Sequence, residues 1–411
     1  MPDAKKMLAD LREITAISAT KEGNTRFSYS EEDRKAKQIL MGKLEAAGLT
    51  TRLDGVGNLF AYRPGEEDKR ALYIGSHMDT VPEGGPYDGL LGTMAAAHIL
   101  MHLEKEKIET EIPVALIVFA EEEGSAFGGA LFGSRIVTGA AELTELDRLY
   151  TKEGVSAREL VTRAGYSANW EDITLLTPER VAGFIELHIE QGGVLDAEDK
   201  TIGVVSSIVG IRQMEVILTG VSNHAGTTPM HMRNDPMVAA AHMITEIGAL
   251  PKKLGDKHTV ATVGRVQTFP GGANVIPSEV RFTVDIRDVN APVLQEMEKQ
   301  VEAIVDTHAK ANGVQAKRHL FGSAEPVHLD EKMQQAIRDA ADEAGVTRMD
   351  LPSGAGHDAE LMALQAPTGM IFVPSIGGVS HSPYEDTKEA DLHAGLDVMY
   401  RTVKRIAGVK A

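Results

Sequence analysis

The sequence predicts an α/β protein in which a mixed sheet covered by helices is interrupted by a smaller layered unit. Three observations point there. Short, very apolar runs at 72–75, 114–120 and 184–188 alternate with stretches of helical periodicity, the pattern of buried strands packed under helices. From about Gly210 the order becomes strand, helix, strand, strand, helix, strand, and after about Val327 the first pattern returns. At 411 residues the chain also exceeds the usual size of one hydrophobic core. We therefore expect residues 1–209 and 328–411 to form one domain and 210–327 an inserted one, with a hinge near 209 and 327.

Taken in order, 3–18 and 31–47 carry helical periodicity, the second starting after Ser30, a good N-cap, and stopping at Gly48. The Ala-rich stretch 90–103, lying between two apolar runs, is expected to be a helix. In the insert, strands are expected at 211–219, 259–268, 279–287 and 314–320 and helices at 236–250 and 291–312, the β-α-β-β-α-β order of a ferredoxin-like unit. Val280, Phe282, Val284 and Ile286 alternate with polar residues, as a strand with one covered face requires. A helix at 332–344, a strand at 369–373 and a long helix from Lys388 complete the chain. In an open α/β sheet the functional residues are expected at strand ends and in the loops beyond them.

Composition narrows the classes of function. Lysine and arginine number 42 against 60 acidic residues, a net charge of −18 that repels phosphate backbones and anionic lipids, so neither nucleic acid nor a membrane is expected as a partner. An anionic substrate would need a local cation to hold it. No cysteine is present, so any metal must be held by histidine and carboxylates. The first fourteen residues are interrupted by charges, unlike a signal peptide, and no apolar run approaches a membrane span; a cytoplasmic location is expected.

Four segments carry chemistry. In Gly75-Ser-His77-Met-Asp79, a buried strand ends in a His and an Asp two apart, on one face, so Asp79 is placed to fix the tautomer of His77, while Asp88 returns from a Gly/Pro loop as a second ligand. Glu121, Glu122 and Glu123 follow the apolar strand 114–119. Three carboxylates against a core are costly unless a cation receives them, and of two neighbours one can bind a metal while the other acts as general base. His188 stands among apolar residues before Gln191, and His381 in the glycine-rich Gly377-Gly378-Val-Ser-His381. Together the imidazoles, Asp88 and a glutamate form the ligand set of two borderline divalent ions such as zinc, manganese or cobalt, about 3.5 Å apart and sharing Asp88.

A second group lies mostly in the insert: His224, Asn274 and Arg287, suited to an oxyanion or a carboxylate. Each has a plainer role open to it, since Asn274 can shape a turn, His224 can cap one and Arg287 can pair with Asp285 or Asp288. Gly356 and His357 sit in a Gly-rich turn before a short helix, where Asp358 can be simply a helix N-terminal charge.

With these residues in order, the chain resembles the carboxypeptidase G and aminoacylase superfamily of di-metal hydrolases. Within it the likeness is to the branch of N-carbamoyl-L-amino acid hydrolases, allantoate amidohydrolases and β-ureidopropionases. The match spans nearly the whole length, from His-x-Asp through Asp-Gly, Glu-Glu and the run His188-Ile-Glu-Gln191-Gly to His381, with an inserted ferredoxin-like lid. The resemblance implies that Glu122 is the general base and that His77, Asp88, Glu123, His188 and His381 bind two metals with Asp88 bridging. It implies substrate contacts from Gln191, His224, Asn274, Arg287, Gly356 and His357, with Arg287 on a carboxylate, and a homodimer formed through the lid. Peptidases of the superfamily typically carry Asp where His188 stands, so the expected substrate is a small carboxylate-bearing ureide and the expected reaction cleavage of a non-peptide C–N bond. Peptidase or N-acyl-amino-acid deacylase activity is the rival within the superfamily, and a non-catalytic metal-binding or ligand-binding protein the rival outside it.

Overall fold

The computed structural model describes residues 1–410. It divides into two compact units. The first comprises Met1–Ser206, Leu329–Leu351 and the chain from His357 on; the second comprises Ser207–His328 and Pro352–Gly356.

The first unit is built on a mixed sheet with strands in the order Thr50–Leu53, Leu59–Tyr62, Val114–Phe119, Ala71–His77, Val181–Ile189, Thr368–Val373 and Ile202–Ile208; Arg348–Ser353 also pairs with the last of these. Its four central strands run parallel, Ala71–His77 lying between Val114–Phe119 and Val181–Ile189, which in turn pairs with Thr368–Val373. Three of them are buried along their whole length and Val181–Ile189 at all but one residue, because helices cover both faces. Parallel strands place their carboxyl ends on one edge. In register, His77 stands opposite Phe119 and His188 opposite Phe372, so the expected ligands leave the sheet together.

The helix Leu90–Lys105, expected over 90–103, is apolar almost all round and buried through its first eleven residues, as a helix packed inside the unit requires. Each buried Leu, Ile or Met in it stabilises the fold by about 1.5–3 kcal/mol. Elsewhere local signals act as expected. Ser30 Oγ accepts from Asp33 N at 3.1 Å to start Glu31–Ala46, and Asp330 caps Glu331–Ala344, which ends on Gly345 in the left-handed region.

The second unit is an antiparallel sheet in the order Val266–Phe269, Glu279–Asp288, Gly210–Thr219, Gln315–Ala324, with helices Pro236–Leu254 and Ala291–Ala311 packed on one face. Chain order and strand order together are those of a ferredoxin-like unit. Burial alternates residue by residue along Gly210–Thr219 and Glu279–Asp288. The expected strand 259–268 is broken. Val260–Thr262 and Val266–Phe269 both pair with Glu279–Asp288, and the three residues between them span only Thr283 and Val284, one residue more than the partner strand. Pro352–Gly356, expected in the first unit, groups with the second, where Ser353 O accepts from Val209 N at 3.1 Å and Gly354 O from Arg287 Nη1 at 2.8 Å. Among the described residues, no helix is long and apolar enough to cross a membrane.

Candidate metal centre

His77 closes its strand with Nδ1 donating to the backbone carbonyl of Asp79 at 3.1 Å, which turns Nε2 toward Asp88 Oδ1 (3.6 Å) and Glu122 Oε2 (3.5 Å). Asp79 thus sets the tautomer through its carbonyl rather than its side chain. The carboxylate, 3.7 Å from Nδ1, instead accepts from the backbone N–H of Glu122 at 3.3 Å and Glu123 at 3.1 Å, fixing the turn that carries both glutamates. Glu121, at φ +56°, is turned inward, where its Oε1 accepts from Ala126 N and Phe127 N. The three consecutive carboxylates are therefore sorted, one into the protein and two toward Asp88 and the histidines.

Asp88 is the centre of the arrangement. Its Oδ1 faces Nε2 of His188 at 3.2 Å and of His77 at 3.6 Å; its Oδ2 faces His381 Nε2 at 3.2 Å and Ser380 Oγ at 3.1 Å and accepts from Gln191 Nε2 at 2.8 Å. His188 is oriented by Nδ1–H donating to Ile189 O at 2.9 Å. Glu123 Oε2 lies 3.6 Å from His381 Nε2. Gly89, at φ +62°, brings the backbone so close that a Cβ would meet the His77 ring at 2.3 Å, so glycine is required there.

Burial pushes the Asp88 carboxyl up, but bonds to His188, His381 and His77 hold it well below the usual range. Burial raises Glu122 well above the carboxylate range, with Glu123 adding to the rise against the pull of His77. Glu123 is pushed up to about 8, chiefly by burial and then by Asp88. The bond to Asp88 raises His381 to about 9. Carboxylates that resist ionising beside imidazoles that resist neutrality make a site short of positive charge.

The donor set answers whether metal ions fit. His77, Asp88 and His188 offer atoms within 4.8 Å of one another, as do Asp88, Glu123 and His381. The two groups share Asp88, one oxygen turned to each. Glu123 Oε1 is buried without a hydrogen-bond partner, an atom that a cation would satisfy. The residues fit a pair of divalent ions. Glu186, His188 and His357 form a third such group. There, however, Glu186 already accepts from Ser76 Oγ at 2.7 Å and Ala359 N at 3.1 Å, which makes it a buttress for the strand end.

His357 is buried against His188 (ring centroids 4.6 Å apart) and Phe372; burial and then His188 hold its imidazole well below its usual pKa, hence neutral. Asp358 is fully buried, not a solvated helix charge, and burial together with Glu186 raises its carboxyl. Gln191, at φ +59°, spans Asp88 and His381, its Nε2 3.2 Å from His381 Nε2.

The remaining candidates belong to the second unit. His224 pairs with Val275 in a two-stranded ribbon, and Asn274 O accepts from Ala225 N. His224 Nδ1 accepts from Gly226 N at 3.0 Å. Arg287 donates from Nε and Nη2 to Asp285 and from Nη1 to Gly354 O, and Gly356 lies in the same returning segment as Gly354. The sequence reading had no role for Glu186, Ser380 and Glu385. Glu186 stands two residues before His188 on the same strand face, a signal available from strand periodicity.

Against known proteins, residues 73–405 match the family described as peptidase family M20/M25/M40. The chain belongs to that family. It is 37% identical over 404 residues to the N-carbamoyl-L-amino-acid amidohydrolase of Paenarthrobacter aurescens, covering 98% of each chain. It is 35% identical to the allantoate amidohydrolase of Bacillus subtilis, covering 92% of each. The crystal structure of an amidase of the hydantoinase/carbamoylase family from Burkholderia multivorans superposes with a TM-score of 0.90 at 33% identity, covering 100% of this chain and 99% of that one. Within the M20 family the chain therefore stands with metal-binding amidohydrolases, hydrolases of C–N bonds other than peptide bonds.

Proposed function

We propose that this M20 amidohydrolase cleaves N-carbamoyl-L-amino acids to the L-amino acid, ammonia and carbon dioxide, using two zinc, manganese or cobalt ions. The observation that carries the reading is the single carboxylate of Asp88 shared between two ligand groups, with a buried glutamate, Glu122, beside them. Relatives named for N-carbamoyl-L-amino acids at 37% and 36% identity support the substrate class.

Held by His77, Asp88 and His188 on one side and by Asp88, Glu123 and His381 on the other, the ions would supply Lewis acidity and acidify a water molecule. Glu122 is the base: buried beside the two ligand groups, with Oε2 3.5 Å from His77 Nε2, it takes a proton from the attacking water and returns it to the amino nitrogen as the C–N bond breaks. His224, whose Nδ1 is occupied by Gly226 N, keeps its proton on Nε2 and so presents a donor to the oxyanion. Arg287 is held at Nε and Nη2 by Asp285 and at Nη1 by Gly354 O, which leaves one N–H on each Nη for the substrate carboxylate. Gln191, Asn274, Gly356 and the neutral His357 orient the ureide. The reading includes a homodimer through the inserted unit and a cytoplasmic location, with neither nucleic acid nor membrane as partner.

The test is ammonia and amine release from N-carbamoyl-L-methionine, β-ureidopropionate, allantoate, N-acetyl-L-methionine and a dipeptide, by chelator-stripped protein with and without Mn, Co or Zn. Metal-dependent turnover of the N-carbamoyl-L-amino acid above the rest is expected. Preference for allantoate or β-ureidopropionate would move the substrate within the ureides, and preference for the acetyl compound or dipeptide would overturn the ureide reading.

A further inference from the structure

Glu385 is 4% exposed and its carboxylate is fully engaged by protein donors. Oε1 accepts from the backbone N–H of Tyr87 at 2.9 Å and of Asp88 at 3.2 Å; Oε2 accepts from the hydroxyl of Ser380 at 2.9 Å. Ser380 Oγ is also 3.1 Å from Asp88 Oδ2, and Ser380 immediately precedes His381, whose φ is +52°. The loop can wrap this carboxylate only because residue 85 is glycine: a Cβ there would sit 2.1 Å from Oε1 of Glu385. One side chain is therefore bonded both to the loop that delivers Asp88 and to the loop that delivers His381.

The two ligand groups do not depend on it equally. His77 and His188 are oriented by the carbonyls of Asp79 and Ile189. The Asp88 oxygen that faces His381 is instead set by Gln191, which donates to it, and by Ser380, whose single hydroxyl proton is shared between that oxygen and Glu385 Oε2. We propose that Glu385, acting through Ser380 and the Tyr87–Asp88 backbone, is a positioning residue that sets the orientation of the shared carboxylate toward His381. It governs the ion position formed by Asp88, Glu123 and His381 more than the one formed by His77, Asp88 and His188. The inference rests on the assignment of these residues as ion ligands.

The experiment titrates chelator-stripped full-length protein with Co²⁺, following heat and the visible cobalt spectrum. The wild type should take up two ions per chain. Glu385→Ala should bind the first nearly as well and the second about ten- to a hundredfold more weakly, the usual cost of losing a partner that orients a ligand. Ser380→Ala should weaken the second ion by a smaller factor. Glu385→Gln, whose amide oxygen keeps both backbone bonds and whose NH₂ can donate to Ser380, should restore the second ion to near the wild-type affinity. Two wild-type affinities and an unchanged spectrum in Glu385→Ala would overturn the proposal, as would a Gln variant no better than Ala. Should Glu385→Ala fail to fold, Ser380→Ala decides: a weakened second ion supports the proposal and an unchanged one overturns it. Fewer than two ions in the wild type would overturn the ligand assignment itself, a different outcome from two ions bound equally well by every variant.

Discussion

The candidate residues of the first unit and those of the second sit at comparable places, at strand ends and the loops beyond, yet they are held differently. Around Asp88 the side chains of His77, Glu122 and His188 are buried and those of Glu123 and Gln191 half-buried, and even the exposed His381 meets another member of the set, so moving one displaces several. His224 is exposed and Arg287 half-buried, each engaged by its own turn or a neighbouring strand residue. Desolvated charge demands a fixed, mutually satisfied arrangement, whereas groups that meet a ligand at the surface need only local support. The first unit should therefore respond to change in an all-or-none way and the second by degrees.

Metal removal is the largest expected effect. Chelation should abolish turnover and lower the unfolding temperature, since each ion present at a hundred times its dissociation constant contributes about 2.7 kcal/mol. Hydrogen exchange in Gly210–Thr219 should stay unchanged while that of Ala71–His77 rises; equal rises in both would break the contrast. In stripped protein Glu123 and His381 hold protons up to about pH 8 and 9, so ion binding displaces protons and affinity should fall as pH is lowered from 9 to 6, measurable by titration at each pH.

Next comes Glu122→Gln, expected to retain its metal content and lose kcat by about a thousandfold, the range of general-base catalysis. Near-wild-type kcat would remove Glu122 from that role. Arg287→Ala should act by degrees, raising KM for carboxylate substrates by about ten- to a hundredfold, with kcat changed far less, because a charge-assisted pair contributes about 1.5–3 kcal/mol. An unchanged KM would place the carboxylate elsewhere.

The smallest effect concerns Asp285. Burial pushes its carboxyl up, but Arg287 and Gln213 bring it below the usual value. A depressed folded pKa contributes stability that is present above the unfolded value near 4 and is lost as pH falls through the folded one. Asp285→Asn should therefore cost under about 1 kcal/mol at pH 7, given the partial exposure of the pair, and nothing at low pH. A cost that persists at low pH would mean that packing, not charge, is at stake.

Much of this was legible in the sequence where one property dominated. Apolar runs ending in His or Glu marked three of the four central strands and the candidate ligands at their ends, and alternation marked Glu279–Asp288. Seven strands went unread: Thr50–Leu53, Leu59–Tyr62, Ile202–Ile208, Arg348–Ser353 and the two-residue strands Asn223–His224, Val275–Ile276 and Val327–His328. All but Ile202–Ile208 and Arg348–Ser353 have four residues or fewer, and pairing with other strands, not local pattern, makes them strands. Glu385 was invisible for a related reason. Its partners Tyr87 and Asp88 lie almost three hundred residues away, and nothing local marks a glutamate that will be buried. Asp79 meets His77 as expected from spacing, but through its carbonyl, while its carboxylate holds the Glu122–Glu123 turn, because residue spacing fixes which face a group lies on and not whether its carbonyl or its carboxylate makes the contact.

The return of Pro352–Gly356 to the second unit bears on how this protein can be rebuilt. The inserted unit is not a cassette with one entrance and one exit. Excising Ser207–His328 would leave behind Ser353 and Gly354, whose carbonyls receive Val209 N and Arg287 Nη1. A chimera that exchanges this unit between relatives must carry two separate stretches of chain, or the graft arrives with Arg287 cut loose from one of its moorings.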